Sequence, residues 1–309
     1  MRAVRWLIGL SVCACVSWAQ AQESFCNTKT PQTKVEYAAQ LACQEHQLWR
    51  EPFINAQGQL LKFGPMEAER DALSDGTPAW HRVLNYWHNS VGLTDLFRGQ
   101  PLPDYPDSAL NDAVTRTQII DTPWSGAFIS YLMRMAGLNE QQFHLADGHI
   151  RYIKPAYAAE IDVRNNSAAP PNTYGFRVHD PLATPMQVGD LLCYVRESRR
   201  VFGAAGFRQW LSEHYHDDQS LKTHCDIVVG VTQKRAYTVG GNVVQAVTMR
   251  ELKLNARGAL SAQYSLPQRS SSWLVDALGE DDVPNCRLSA LAQCNMNRQD
   301  WVALLRYQS

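Results

Sequence analysis

Thr122-Pro123-Trp124-Ser125-Gly126-Ala127-Phe128 is the stretch whose reading decides the fold, because helical patterns and loops precede it and strands come only after it. Thr122 can accept a hydrogen bond at a helix N-cap. Pro123 suits the first helical position, where the amide hydrogen it lacks would have had no partner. The spacing predicts a helix from Pro123 through Phe128, Leu132 and Met135, closed at Gly137 by a left-handed cap. Ser125 then falls in the first turn. There the unpaired backbone N–H groups and the positive end of the helix dipole favour an alkoxide or thiolate and can steady an oxyanion. Gly126 and Ala127 are small enough to let a sheet approach closely.

Working outward, residues 33 to 49 carry apolar residues at helical spacing, and a second helix is expected over 78 to 90, where Trp80, Val83, Leu84 and Trp87 repeat at three and four residues. The stretch from Gly99 to Pro106 is a loop. Beyond an Asn/Ser/Ala/Pro loop at Asn165 to Asn172 the pattern changes to strands: 189 to 195, 224 to 231, 236 to 239 and 243 to 249. Phe207, Trp210 and Leu211 suggest a short helix between the first two. Short links between the last three predict an antiparallel meander. The whole is an α+β fold with helices packed on one side of a small antiparallel sheet.

The amino end carries a separate message. Arg2 and Arg5, the apolar run Trp6 to Val16 and the small-residue site Ala19-Gln20-Ala21 predict a secretory signal removed after Ala21. A lipoprotein site at Cys15 is a weaker fit, because Val12 replaces the usual leucine. Residues 22 to 76 are then a helical N-terminal extension and 77 to 309 the main domain. No other segment is apolar for long enough to span a bilayer. The expected location is the periplasm or the medium.

Hydrophobic residues make up 45% of the chain, enough for a proper core. With 29 basic against 30 acidic residues and a formal charge of −1, nothing supports an electrostatic grip on nucleic acid or anionic lipid. No phosphate-cradling glycine loop or dinucleotide fingerprint is present, and no metal or organic cofactor is called for. Cys26, Cys43, Cys193, Cys225, Cys286 and Cys294 remain after the leader, an even number that suggests disulfides in an exported chain. Cys193 with Cys225 is the preferred pair, since both lie in apolar strand-like runs. Cys286 and Cys294 would stand about 12 Å apart if one helix joined them, too far to bridge.

The chemistry-bearing segments are Ser125 with its helix start, His224-Cys225-Asp226-Ile227-Val228-Val229, and Gly240-Gly241-Asn242. They read as a nucleophile, a base on a strand and an orienting amide, the three parts that covalent amide or ester cleavage needs. Asp226 lies two residues from His224 and so on the same strand face, from which it can also influence the imidazole. Cys225, pointing to the opposite face, cannot serve His224 and belongs to core or disulfide. His214, His216, Asp217 and Asp218 form a cluster that lacks a recognisable metal spacing and reads as a solvated loop. His144 and His149 could line a cleft near Tyr152, or simply cap and pack.

The order of these motifs, with the Gly189-Asp190-Leu191 strand between them, resembles the NlpC and CHAP type of papain-like cell-wall amidases and peptidases. With serine in place of cysteine, it resembles more closely the uncharacterised bacterial domain-of-unknown-function 2272 family. The resemblance spans about 78 to 250. It implies a papain-like fold, Ser125 in the position of the nucleophilic cysteine, His224 in that of the general base, and Asn242 in that of the residue orienting it. Gly240 stands where many relatives have glutamate, which removes one charged partner of the imidazole. The implied activity is hydrolysis of an amide or peptide bond, with peptidoglycan or a peptide as substrate. Serine, almost wholly protonated at neutral pH, would depend on its base where a cysteine thiolate would not. A catalytically inactive relative that binds cell-wall fragments or a protein partner, and an esterase using the same serine, are the alternatives.

Overall fold

The Thr33 side chain accepts the Glu36 amide hydrogen while the Glu36 carboxylate accepts the Thr33 amide hydrogen. This capping box starts α1 (Lys34–Leu48). A computed structural model describes residues 30–164, 174–197, 200–266 and 295–308. The leader, the Asn165 to Asn172 loop, Cys26, Cys286 and Cys294 lie outside the described residues.

After α1 come β1 (Phe53–Ile54), β2 (Leu60–Lys62), α2 (Ala79–His88), α3 (Leu93–Leu96), α4 (Ser108–Asp121), α5 (Ser125–Met135) and α6 (Ile150–Arg164). The second half holds β3 (Phe176–His179), β4 (Leu191–Val195), α7 (Gly203–His214), β5 (Thr223–Val231), β6 (Arg235–Val243), β7 (Ala246–Lys253) and β8 (Asp300–Tyr307). Among the described residues one sheet of eight strands runs in the order β2-β1-β7-β6-β5-β4-β8-β3. β1 and β7 are parallel and every other pair is antiparallel.

The four expected strands form the middle of this sheet as β4, β5, β6 and β7, with the last three as a meander. The sheet is nevertheless larger than expected and mixed. β8, an apolar run from Trp301 to Leu305, inserts between β4 and β3 and is buried on both faces. The short β1–β2 hairpin extends the other edge. A run such as β8 carries no period-2 signal, because neither face of its apolar part meets water.

Two cores result. The larger lies between helices and sheet and takes Leu191, Cys193, Cys225, Ile227 and Val239 together with Trp87, Trp124, Phe128 and Leu132. The smaller lies on the other face and takes Leu192, Tyr194, Val228, Ala236, Leu252 and Trp301 with Tyr264. Alternation along β4 and β5 divides these residues between the faces. Cys193 and Cys225 are cross-strand partners and form the expected disulfide. Cys43 is also disulfide-bonded.

The start of α5 differs from expectation. Thr122 is the C-terminal cap of α4, extended at φ −117° and ψ 115°, and α5 begins at Ser125 after Trp124. Proline disfavours the helical region for the residue before it, so Pro123 separates two helices instead of opening one. The far end is as read: Gly137 has φ +79°, and the Gly137 and Leu138 amides donate to Arg134 and Met133.

Candidate active site

Ser125 is the first residue of α5. The first intrahelical bond runs from the Phe128 amide to the Trp124 carbonyl at 2.9 Å, so the amides of Ser125, Gly126 and Ala127 have no acceptor within the helix. Trp124 anchors this end: its ring stacks on Trp49 at 5.6 Å and on Tyr86 at 5.7 Å. Ser125 is 6% exposed.

The partner of Ser125 comes from the loop before α6. A Cβ on Gly126 would lie 2.0 Å from the Asp147 carbonyl oxygen, so glycine lets the loop pass directly over the helix start. The close approach expected of a sheet at Gly126 is thus made by this loop. The sheet instead approaches through Gly241, against Phe128. Ser130 pins the loop, donating to the Ala146 carbonyl at 2.7 Å and accepting the Ala146 amide hydrogen at 2.9 Å. His149 is thereby placed with Nε2 2.7 Å from Ser125 Oγ. Its Nδ1 is hydrogen-bonded to the Tyr152 hydroxyl one turn on.

Burial holds the His149 pKa well below the ordinary imidazole value, and His224 and Arg196 lower it further. His149 is therefore neutral at neutral pH. In the tautomer with a proton on Nδ1, that N–H donates to Tyr152 and Nε2 is free to accept the Ser125 proton. Burial also raises the Tyr152 pKa well above its usual value, with the fields of Tyr174 and Asp226 adding to the effect.

His224 and Asp226 alternate along β5 with the helix-facing Cys225 and Ile227, and so share the face of Tyr194 and Val228. The His224 ring nonetheless lies 5.1 Å from that of His149, centroid to centroid. Burial also lowers the His224 pKa, against the opposing pull of Asp226. His224 Nε2 is 2.8 Å from Asp226 Oδ1, and Arg196 Nη2 is 3.3 Å from Nδ1. Burial alone would raise the Asp226 pKa; the His224 hydrogen bond and the charge of Arg250 outweigh it and leave the carboxyl below its usual range. As an ionised carboxylate Asp226 only accepts, so Nε2 of His224 donates and Nδ1 accepts from Arg196. Both ring nitrogens are then engaged. Arg250 Nε at 3.1 Å and Thr238 Oγ1 at 3.3 Å donate to the other Asp226 oxygen.

Gly240 explains the room for this pair. A Cβ there would stand 1.9 Å from Asp226 Oδ1 and 3.0 Å from His224 Nε2. The Asp226 carboxylate therefore occupies the space that a side chain at 240 would claim. Asn242 lies just beyond, where the β6–β7 register shifts, with φ +55°, a left-handed conformation that asparagine tolerates better than most residues. No side-chain hydrogen bond joins it to an imidazole among the described residues.

The structure thus brings Ser125, His224 and Asp226 to one end of the sheet but inserts His149 between the serine and the strand histidine. Tyr152, Arg196 and Arg250 complete the setting. Of the residues not expected to act on Ser125, the sequence singled out only His149, with His144, as lining a cleft near Tyr152 or as capping and packing. Among the other candidates, His214 is 2.7 Å from Asp217, whose backbone and carboxylate bind Lys154 Nζ. Among the described residues no group of three or more His, Cys, Asp or Glu side chains could hold a metal. A cavity of about 700 Å³ lies on the opposite flank of α6, lined by Arg151, Lys154, Tyr174 and His216 among others.

The family profile described as "Uncharacterized protein conserved in bacteria (DUF2272)" matches residues 74–307, from just before α2 to the end of β8. No curated protein and no solved structure matches the chain.

Proposed function

We propose, on the premise that this chain belongs to the bacterial DUF2272 family, that it is an exported hydrolase cleaving an amide or peptide bond of peptidoglycan through Ser125. One observation carries the reading: a serine hydroxyl at the amino end of a helix, 2.7 Å from the free nitrogen of a neutral histidine. Ser125 attacks the carbonyl carbon while His149 Nε2 takes its proton. The oxyanion meets the unpaired amides at the start of α5. The tetrahedral adduct then collapses, and the leaving amine takes the proton back from His149. Water, deprotonated by the same imidazole, releases the acyl group.

The general-base role that the motif order suggests for His224 passes in this proposal to His149, which makes the direct bond. His224 and Asp226 stand behind it, with Asp226 ion-paired to Arg250 and hydrogen-bonded to His224. The choice of peptidoglycan, and an NlpC/CHAP-type papain-like ancestry, rest on the order of the four motifs. A disulfide between buried cysteines supports an oxidising destination. Among the described residues no helix is long and apolar enough to cross a membrane.

A second reading has its own support. Ser125 is 6% and His149 3% exposed, as suits a retired enzyme that only binds wall fragments or a partner. The two separate when purified protein is incubated with peptidoglycan and with a fluorophosphonate probe, with released fragments and labelled peptides followed by mass spectrometry. Wild type is expected to release fragments and carry label on Ser125. Ser125→Ala abolishes both, and His149→Ala slows labelling at least about a hundredfold. His224→Ala, which leaves the hydrogen bond to Ser125 in place, slows it less. Products only from Ser125→Cys would establish the binding reading instead.

A further inference from the structure

A cavity of about 320 Å³ lies between the start of α2, the exposed side of α4 and the segment that precedes α2, and the proposed chemistry does not use it. Its walls are Arg70, Pro78, Trp80, Asp112, Ala113 and Arg116. The walls are fixed by backbone and side-chain bonds. The Ala79 amide donates to the Asp71 carbonyl at 2.9 Å and ties the segment to α2, while Arg116 Nη2 donates to the Ala68 carbonyl and ties it to α4.

The two guanidiniums of this cavity have unused capacity. Arg70 is exposed and has no hydrogen-bond or ion-pair partner among the described residues. Arg116 spends one donor on Ala68, and its Nε is buried with no partner among the described residues. Asp112, one helical turn before Arg116, forms an ion pair with neither of them among the described residues. The larger cavity beside α6 differs here, because its Lys154 and Arg151 already have the carboxylates of Asp217 and Asp147. Two positive groups that open on one space repel each other, and their unmet donors are costly; an anion between them relieves both. The guanidinium fork matches a carboxylate in particular, which it can bind through two parallel hydrogen bonds. The opposite wall is apolar, formed by the half-buried Trp80 and by Pro78. Its indole offers a flat face to a ring of similar size. The volume is at the small end for ligand sites and suits one ring with a short arm.

We propose that this cavity binds a carboxylate-bearing sugar, with one pyranose ring against Trp80 and its acid arm between Arg70 and Arg116. A glycan strand held here stays on the protein while bonds elsewhere in it are cut. The ring and the acid follow from the walls of the cavity. Only the choice of a cell-wall sugar rests on the reading of peptidoglycan as substrate.

Three probes separate the parts. N-acetylmuramic acid carries ring and carboxylate, N-acetylglucosamine the ring alone, and D-lactate the carboxylate alone. Affinities are read by saturation-transfer NMR on each probe, and the place of binding by the tryptophan indole N–H signals, with Trp80 assigned through its loss in Trp80→Phe. N-acetylmuramic acid is expected to shift the Trp80 signal saturably and to bind at least about tenfold more tightly than either fragment. Arg70→Gln, which breaks no bond within the protein, and Arg116→Gln should each weaken it about tenfold, and added salt should weaken it further. If Arg116→Gln fails to fold, Arg70→Gln decides alone. D-lactate binding as tightly would reduce the cavity to an anion patch, and N-acetylglucosamine binding as tightly would remove the acid from recognition. Either result overturns the proposal, as do an unmoved Trp80 signal and unchanged affinity in Arg70→Gln. None of these measurements requires Ser125 to be catalytic, so loss of the hydrolase reading and loss of this site are separate results.

Discussion

His149 and His224 show how two buried imidazoles a ring's width apart come to differ. His224 has a donor on one nitrogen and an acceptor on the other, so it is satisfied as a neutral ring and has nothing left for Ser125. His149 meets two hydroxyls, each able to donate or accept, so its tautomer is free to adjust and it can act as a base. The His224 arrangement depends on Asp226, and Asp226 depends on the absence of a side chain at 240. Gly240→Ala should therefore expel the carboxylate, leave Arg250 buried without its counter-ion, and cost about 3 kcal/mol in urea unfolding. On an Asp226→Ser background the same alanine should cost less than about 1 kcal/mol, because the clash has gone. Equal costs on both backgrounds would show that the pair is not what fills the space. The same-face spacing of His224 and Asp226 was legible in the sequence. The vacancy across the strand that makes it workable was not, since it requires the β5–β6 register.

Among the elements, the loop Ala146 to His149 is the one on which the site turns. It crosses the start of α5 because Gly126 has no side chain, and Ser130 holds it by two hydrogen bonds. Gly126→Ala should lift the loop, draw His149 away from Ser125 and slow fluorophosphonate labelling by about a hundredfold, a typical consequence of a displacement near 1 Å. The helix itself should persist, since alanine favours helix over glycine, and far-ultraviolet circular dichroism should not change. Unchanged labelling would show that the loop does not position the base. Gly126 stood out in the sequence as a small residue for close approach. What approaches it could not be read, because loop paths follow from packing and leave no periodic pattern.

At the scale of the molecule, three buried histidines make folding sensitive to acid. His46, whose ring N–H donates to the Pro52 carbonyl, has its pKa lowered to about 4, chiefly by burial. His149 and His224 are lowered for the same first reason. A base whose folded pKa is depressed binds fewer protons folded than unfolded. Stability is therefore intact above the unfolded value near 6.5 and is lost as pH falls toward the folded one. For His46 alone the loss between pH 7 and pH 4 amounts to about 3 kcal/mol. Urea unfolding at pH 7 and pH 4.5 should show a marked fall, and His46→Gln should flatten it. Equal stability at the two pH values would mean that these rings are not buried as neutral bases. The same scale sets the sheet, in which β1 and β8 join central strands from far away in the chain.

By itself the sequence determined what is local: the amphipathic helices, the left-handed cap at Gly137, the β5–β6–β7 meander and a cysteine pair carried by strands that proved adjacent. Each follows from periodicity, turn chemistry or short connections, which act within a dozen or so residues. Tertiary structure alone decided that β8 divides β4 from β3, that the loop Ala146 to His149 crosses the start of α5, and that His149 rather than His224 meets Ser125. These outcomes depend on which surfaces close on one another once the apolar faces are buried. A residue pattern along one element carries no record of the neighbour that will be missing a side chain opposite it.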